Sequence, residues 1–167
     1  MRKSVEEFAR YVRDHFEEID ILVNNAGLIM GEERRVNSDG IEMTLAVNHF
    51  GHFYLTYLLW ESLCKSPEAR IINVSSKLHY DAGKNFLDDP KCESKPYNNF
   101  EQYNISKLFN VVFTLGLRDL IDRRKISHIK TASLHPGIVD SGFYGNIDDT
   151  FMIKCFKNFC CCFMVTN

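Results

Sequence analysis

Three short apolar runs, IDILVNNAG (19–27), RIINVSS (70–76) and IKTASL (129–134), alternate with long stretches whose apolar residues recur every three to four positions. Such runs, rich in branched residues and stopped by small or polar ones, read as buried strands of a parallel sheet, whose neighbours need a helical crossover between them. The intervening stretches supply those crossovers. Ser4 with Glu7 forms a capping-box pattern, and Val5, Phe8, Val12, Phe16 and Ile19 follow at helical spacing, which predicts a helix over 4–18. A second begins after Asp39, with Glu42 three residues on, and runs through Leu45, Leu55, Leu58 and Leu59 to about Leu63. A third carries Leu108, Val111, Val112, Leu115 and Leu120 and reaches about Arg123. The polar stretch from Lys77 to Asn99, with Pro90 and Pro96, predicts a long surface loop. Strand, helix, strand, helix, strand is the order of an α/β, Rossmann-like, doubly wound parallel sheet with helices on both faces. It predicts one domain over 1–150, followed by an apolar, cysteine-rich tail over 151–167.

Composition narrows the function classes. The 167 residues are 45% hydrophobic and 25% charged, ordinary for a globular domain, and the net charge of −2 gives no footprint for nucleic acid. The basic run DRRK (122–125) reads as a solvated helix end. Six cysteines are present, four of them crowded at Cys155 and Cys160 to Cys162, which suits a reducing compartment better than a disulfide framework. His49 and His52 could share a helix face, but no third and fourth ligand is spaced to join them, so no metal is expected. The opening MRKSVEEFAR carries no apolar run, and secretion of the chain as written is not expected.

The chemistry sits in QYNISKLFN (102–110), where Tyr103 and Lys107 are four residues apart on a predicted helix. Positions i and i+4 stack on one helix face, and a nearby ammonium favours phenolate, so Tyr103 is a candidate general acid/base. A second Tyr-x-x-x-Lys match, YDAGK (80–84), has a glycine inside and no helical periodicity after it, so context favours the first. In an open parallel sheet, ligands bind beyond the carboxyl ends of the strands. Here those ends are Asn24 to Gly27, Ser75 with Ser76, and His135 to Gly137, and they predict one crevice.

Five segments, LVNNAG (22–27), VNHFGHF (47–53), RIINVSS (70–76), YNISK (103–107) and SLHPGIV (133–139), resemble in order and spacing the motifs of the short-chain dehydrogenase/reductase family. Within it, VNHFGHFYLTYLL and RIINVSS most resemble the retinol dehydrogenase branch. The resemblance covers roughly residues 3 to 142. It implies a nicotinamide-dependent oxidoreductase acting on a small lipophilic alcohol or carbonyl, with Asn48, Ser76, Tyr103 and Lys107 as catalytic tetrad. Tyr103 would exchange a proton with the substrate oxygen, Ser76 would hold that oxygen, and Lys107 would bind the nicotinamide ribose. Asn48 would seat a water of the proton relay. Asn24, Ala26 and Gly27 would pass under the cofactor, with Pro136, Gly137 and Ser141 near the nicotinamide; Ser141 stands where threonine is more usual.

The family's glycine-rich, pyrophosphate-binding turn has no counterpart in these residues, and the residue that selects NAD or NADP goes with it; the resemblance slightly favours NADP. The chain is therefore expected to be the catalytic half of a longer protein. Two functions stay open: an oxidoreductase known through that half, and a truncated, non-catalytic fold acting as an interaction partner. The tail likewise keeps two readings, an interfacial helix, acylated at Cys160 to Cys162, or a core or substrate-covering helix. The first implies peripheral membrane contact on the cytoplasmic side, as at the endoplasmic reticulum.

Overall fold

The computed structural model describes residues 2–83 and 86–137. Helix α1 (Arg2–His15) leads into strand β1 (Ile21–Asn24), and α2 (Met43–Leu45), a π-helical turn (Ala46–Phe50), α3 (Gly51–Leu58) and α4 (Trp60–Lys65) form one crossover. Strand β2 (Ala69–Val74), a 3₁₀ turn (Lys77–Asp81), helix α5 (Asn99–Arg123) and strand β3 (Ile129–Leu134) complete the described chain. The sheet order is β1-β2-β3, all parallel. The register sets Ile21 beside Arg70 and Lys130, and Leu22 beside Ile71 and Thr131.

That register sorts the sheet into two unlike faces. Leu22, Ala69, Ile71 and Ile129 pack with Ala9 of α1, Leu59 and Leu63, and Leu117 and Ile121 of α5 into the main core. On the other face Ile21 and Val23 are 54% and 51% exposed. The fold is the incomplete α/β arrangement expected, with one face layered among the described residues. Two local expectations are corrected: β1 is buried on one face instead of two, and β3 is buried only at Ile129.

Helix boundaries differ for local reasons. α1 begins at Arg2, so Ser4 lies inside the helix instead of capping it, and it ends at His15, with Phe16 and Ile19 in the connection. The second helix starts at Met43, not after Asp39. Asp39 lies in a turn gathered by the Asn37 side chain, which accepts from the backbone N–H groups of Asp39 and Ile41. The cap is Glu42, whose carboxylate accepts from the N–H groups of Thr44 and Leu45. α5 starts at Asn99, with the Asn98 side chain capping the N–H of Glu101. Much of the expected loop over 77–99 is irregular, but it opens with the 3₁₀ turn.

Candidate active site

The carboxyl ends of the three strands lie side by side, as the parallel order requires, and α5 crosses behind them. Val74 closes β2, and its carbonyl accepts from two α5 side chains one turn apart, Lys107 Nζ at 3.2 Å and Asn110 Nδ2 at 3.1 Å. Ser75 returns a bond from Oγ to the Lys107 carbonyl at 2.8 Å. These contacts bolt the helix to the strand end. Lys107 is 3% exposed, and its Nζ lies 5.5 Å from the centroid of the buried Tyr103 ring. Burial lowers its pKa to about 8.

Asn48 sits in the π-helical turn and is fully buried. Its amide exchanges two bonds with Leu28, accepting from N–H at 2.8 Å and donating to the carbonyl at 2.9 Å, and donates to Ser106 Oγ at 3.0 Å. Ser106 Oγ in turn donates to the Tyr103 carbonyl. The side chain thus ties the loop after β1 to the turn of α5 that carries Tyr103. A π turn pairs N–H groups with carbonyls five residues back, here Gly51 with Ala46. Asn110 Nδ2 donates to the Asn48 carbonyl in the same turn at 3.0 Å.

Ser76 is half-buried at the end of the strand segment and caps the 3₁₀ turn by accepting from Leu78 N–H at 3.2 Å. A side chain added at Gly27 would stand 3.4 Å from Asn48 Oδ1 and 3.5 Å from Lys107 Nζ. The glycine holds backbone close to the ammonium and keeps the space beside it open. Asn24 points its amide inward, donating to Thr56 Oγ1 and Asn73 Oδ1. Ala26, Pro136 and Gly137 are at or near the surface, and Gly137 has φ +82°, a backbone that strongly favours glycine. Ser141 and the tail over 151–167 lie outside the described residues. The competing Tyr80 is 79% exposed on the 3₁₀ turn, and its partner at 84 also lies outside.

The structure therefore gathers Tyr103, Lys107, Asn48 and Gly27 around one corner, with Ser76 at the adjoining strand end. Ser106 and Asn110, which help hold that corner, were not singled out from the sequence, and Ser75 was read only as part of a strand end. The spacing of Lys107 and Asn110 on one helix is the only signal that could have suggested their joint hold on β2. Apolar grooves beside α3 and α5, lined by Phe53, Phe113 and Leu117, involve neither Tyr103 nor Ser76.

The family model for short chain dehydrogenase matches residues 1–87, and human retinol dehydrogenase 13 is 42% identical over 136 residues, covering 81% of this chain and 40% of that protein. The chain belongs to the short-chain dehydrogenase family. Human retinol dehydrogenase 12 is likewise 42% identical over 139 residues, 83% of this chain and 42% of that one. The chain thus spans about two fifths of the length of these relatives. Among solved structures, an uncharacterized protein from Mycobacterium paratuberculosis superposes with TM-score 0.71 at 33% identity, over 87% of this chain and 50% of the other. An NADPH-bound carbonyl reductase from chicken fatty liver superposes with TM-score 0.64 over 99% of this chain and 61% of the other; at 20% identity that likeness shows the fold alone.

Proposed function

We propose that this chain carries the proton-transferring half of a nicotinamide-dependent oxidoreductase acting on lipophilic, retinoid-like alcohols and carbonyls. The observation that carries this is the buried Lys107 ammonium 5.5 Å from the Tyr103 ring. Tyr103 acts as general acid toward the substrate oxygen in reduction and as general base in oxidation, and Lys107 stabilises the phenolate form in between. Ser76 orients the same oxygen by a hydrogen bond. Asn48 acts through the loop and helix turn that it joins.

The residues fit one end of the cofactor. Lys107 gives one of its three N–H groups to Val74, and the others have no hydrogen-bond partner among the described residues. With the open space at Gly27 beside them, they suit ribose hydroxyls. The nicotinamide, when bound, supplies or accepts the hydride. The backbone of Asn24, Ala26 and Gly27 would form the floor there, with Pro136, Gly137 and Ser141 at the other side. The pyrophosphate end does not fit: the N–H groups that open α2 are already taken by the Glu42 carboxylate, and no glycine-rich turn leads into a described helix. The names of the relatives favour a retinoid substrate, and the resemblance of the sequence motifs to that branch slightly favours NADP over NAD.

The test is Tyr103→Phe in a form of the protein that binds NADPH or NADH. Retinaldehyde reduction should fall at least ~100-fold, the low end for loss of a general acid, with cofactor affinity unchanged. Tyr80→Phe should be nearly silent. Full turnover by the Tyr103 variant would remove the assignment. The exposed face of β1 favours a second reading, a non-catalytic association module, and it predicts no turnover from this chain alone.

A further inference from the structure

We propose that His79 is a positioning residue for Ser76, its ring fixing the strand end from which that serine reaches the substrate oxygen. The inference rests on the reading of Ser76 as the residue that orients this oxygen, and concerns how the serine is held. Lys107 and Asn48 are each tied to another part of the fold, Lys107 to the Val74 carbonyl and Asn48 to Leu28 and Ser106. The Ser76 side chain, among the described residues, is bonded only within its own turn, where Oγ accepts from Leu78 N–H. One residue supplies a further hold. His79 donates twice to the Ser76 carbonyl, from its backbone N–H at 3.1 Å and from ring Nδ1 at 2.6 Å.

A carbonyl can only accept, so the 2.6 Å contact places a proton on ring Nδ1. The neutral ring is thereby the Nδ1–H tautomer, with its lone pair on Nε2. The grip matters because a 3₁₀ turn is weakly bonded by itself, and here Ala82 N–H reaches the His79 carbonyl only at 3.4 Å. The ring is braced from one side by Tyr80, their centroids 4.0 Å apart. Both lone pairs of the Ser76 carbonyl are then engaged by one residue, which fixes the peptide plane. With Oγ accepting from Leu78 N–H, the serine hydroxyl keeps its hydrogen for an acceptor, which is what a substrate carbonyl offers. The turn packs against α5, the helix that carries Tyr103, so the peptide that His79 holds also sets how Ser76 stands toward that phenol.

The first readout is the tautomer. In ¹H–¹⁵N correlation spectra of the 167-residue chain, taken at the alkaline plateau of the ring and assigned with His79→Asn, Nε2 should carry the pyridine-like shift; a neutral ring protonated at Nε2 overturns the proposal. The second is a double-mutant cycle in a form of the protein that binds NADPH or NADH. His79→Phe keeps a ring against Tyr80 and removes the donor. Its kcat for retinaldehyde should fall roughly 5- to 10-fold, as for one lost hydrogen bond, with cofactor affinity unchanged. His79→Asn, whose amide nitrogen can take the place of Nδ1, should restore it. In a Ser76→Ala background, His79→Phe should cost less than about twofold. An equal loss in both backgrounds marks a merely structural role and overturns the proposal, as does an Asn variant as slow as the Phe variant. Should His79→Phe not fold, the wild-type tautomer decides. The Ser76→Ala parent reports on the serine's own role and the tautomer needs no turnover, so failure of the proposal and failure of the reading beneath it are distinguishable.

Discussion

Lys107 is the residue on which structure and chemistry pull in opposite directions. Its folded pKa of about 8 lies below the ordinary 10.5, because burial penalises the charge. Between those values the unfolded chain binds more protons than the folded one, so this site's contribution to stability rises as pH climbs from about 8 to 10.5. Below pH 8 the full penalty applies, about 3 kcal/mol for the shift. The bond to Val74 returns about 1 kcal/mol, and that carbonyl keeps Asn110 as a donor if the lysine is removed. Lys107→Met should therefore be more stable at pH 7 by about 2 kcal/mol, with the advantage vanishing near pH 10.5. Urea unfolding of both chains across pH 7–11 measures this; a lysine that stabilises at pH 7 would contradict it. The gathering of Tyr103, Lys107, Asn48 and Ser76 at one corner was legible because linked motifs mark them. The bonds that Ser75 and Asn110 make there were not, because they depend on which strand end and helix turn face each other after folding.

At the scale of elements, the π-helical turn over Ala46–Phe50 and helix α5 form one unit. Asn110 bonds the Asn48 and Val74 carbonyls through Nδ2, and its Oδ1 lies 3.1 Å from His49 Nδ1. Asn110→Ala leaves the Asn48 carbonyl and the His49 ring nitrogen unpaired in the interior. The expected cost is about 2–4 kcal/mol, from orphaning two buried groups. It should appear as a lower urea midpoint with an unchanged slope, and a loss below about 0.5 kcal/mol would show that the turn does not depend on this side chain. Below Asn110, Thr114 Oγ1 donates to its carbonyl and accepts from Asn73, and Asn73 accepts from Asn24, so a buried polar row runs from α5 to β1. The strands and α5 were legible from periodicity. The π turn was not, since the apolar spacing of this crossover continues through it. The cap was misplaced to Asp39 because Asp is an ordinary N-cap residue and Glu42 suits the third helical position after it, and only the turn gathered by Asn37 shows that Glu42 itself caps.

At the scale of the whole molecule, the decisive feature is the sheet face that no described element covers. Ile21 and Val23 are more than half exposed on β1, which among the described residues pairs with β2 alone. An exposed apolar strand with a free edge is a template for pairing with another chain. The 167-residue chain should accordingly self-associate in sedimentation velocity and, with no glycine-rich turn to cradle a pyrophosphate, should not reduce retinaldehyde with NADPH or NADH by itself. The register supplies the corrective substitutions. Ile21 lies beside Arg70, so Ile21→Glu sets opposite charges on neighbouring strands, worth roughly 0.2–1 kcal/mol, while Val23→Lys places a charge on the same open face. The double variant should sediment as a monomer with its thermal midpoint within a few degrees of wild type, because neither side chain belongs to the main core. Persistent association would move the contact to the aromatic grooves beside α3 and α5. Turnover by the wild-type chain with either cofactor would show that this half binds the dinucleotide through Lys107 and the Gly27 loop without a phosphate cradle.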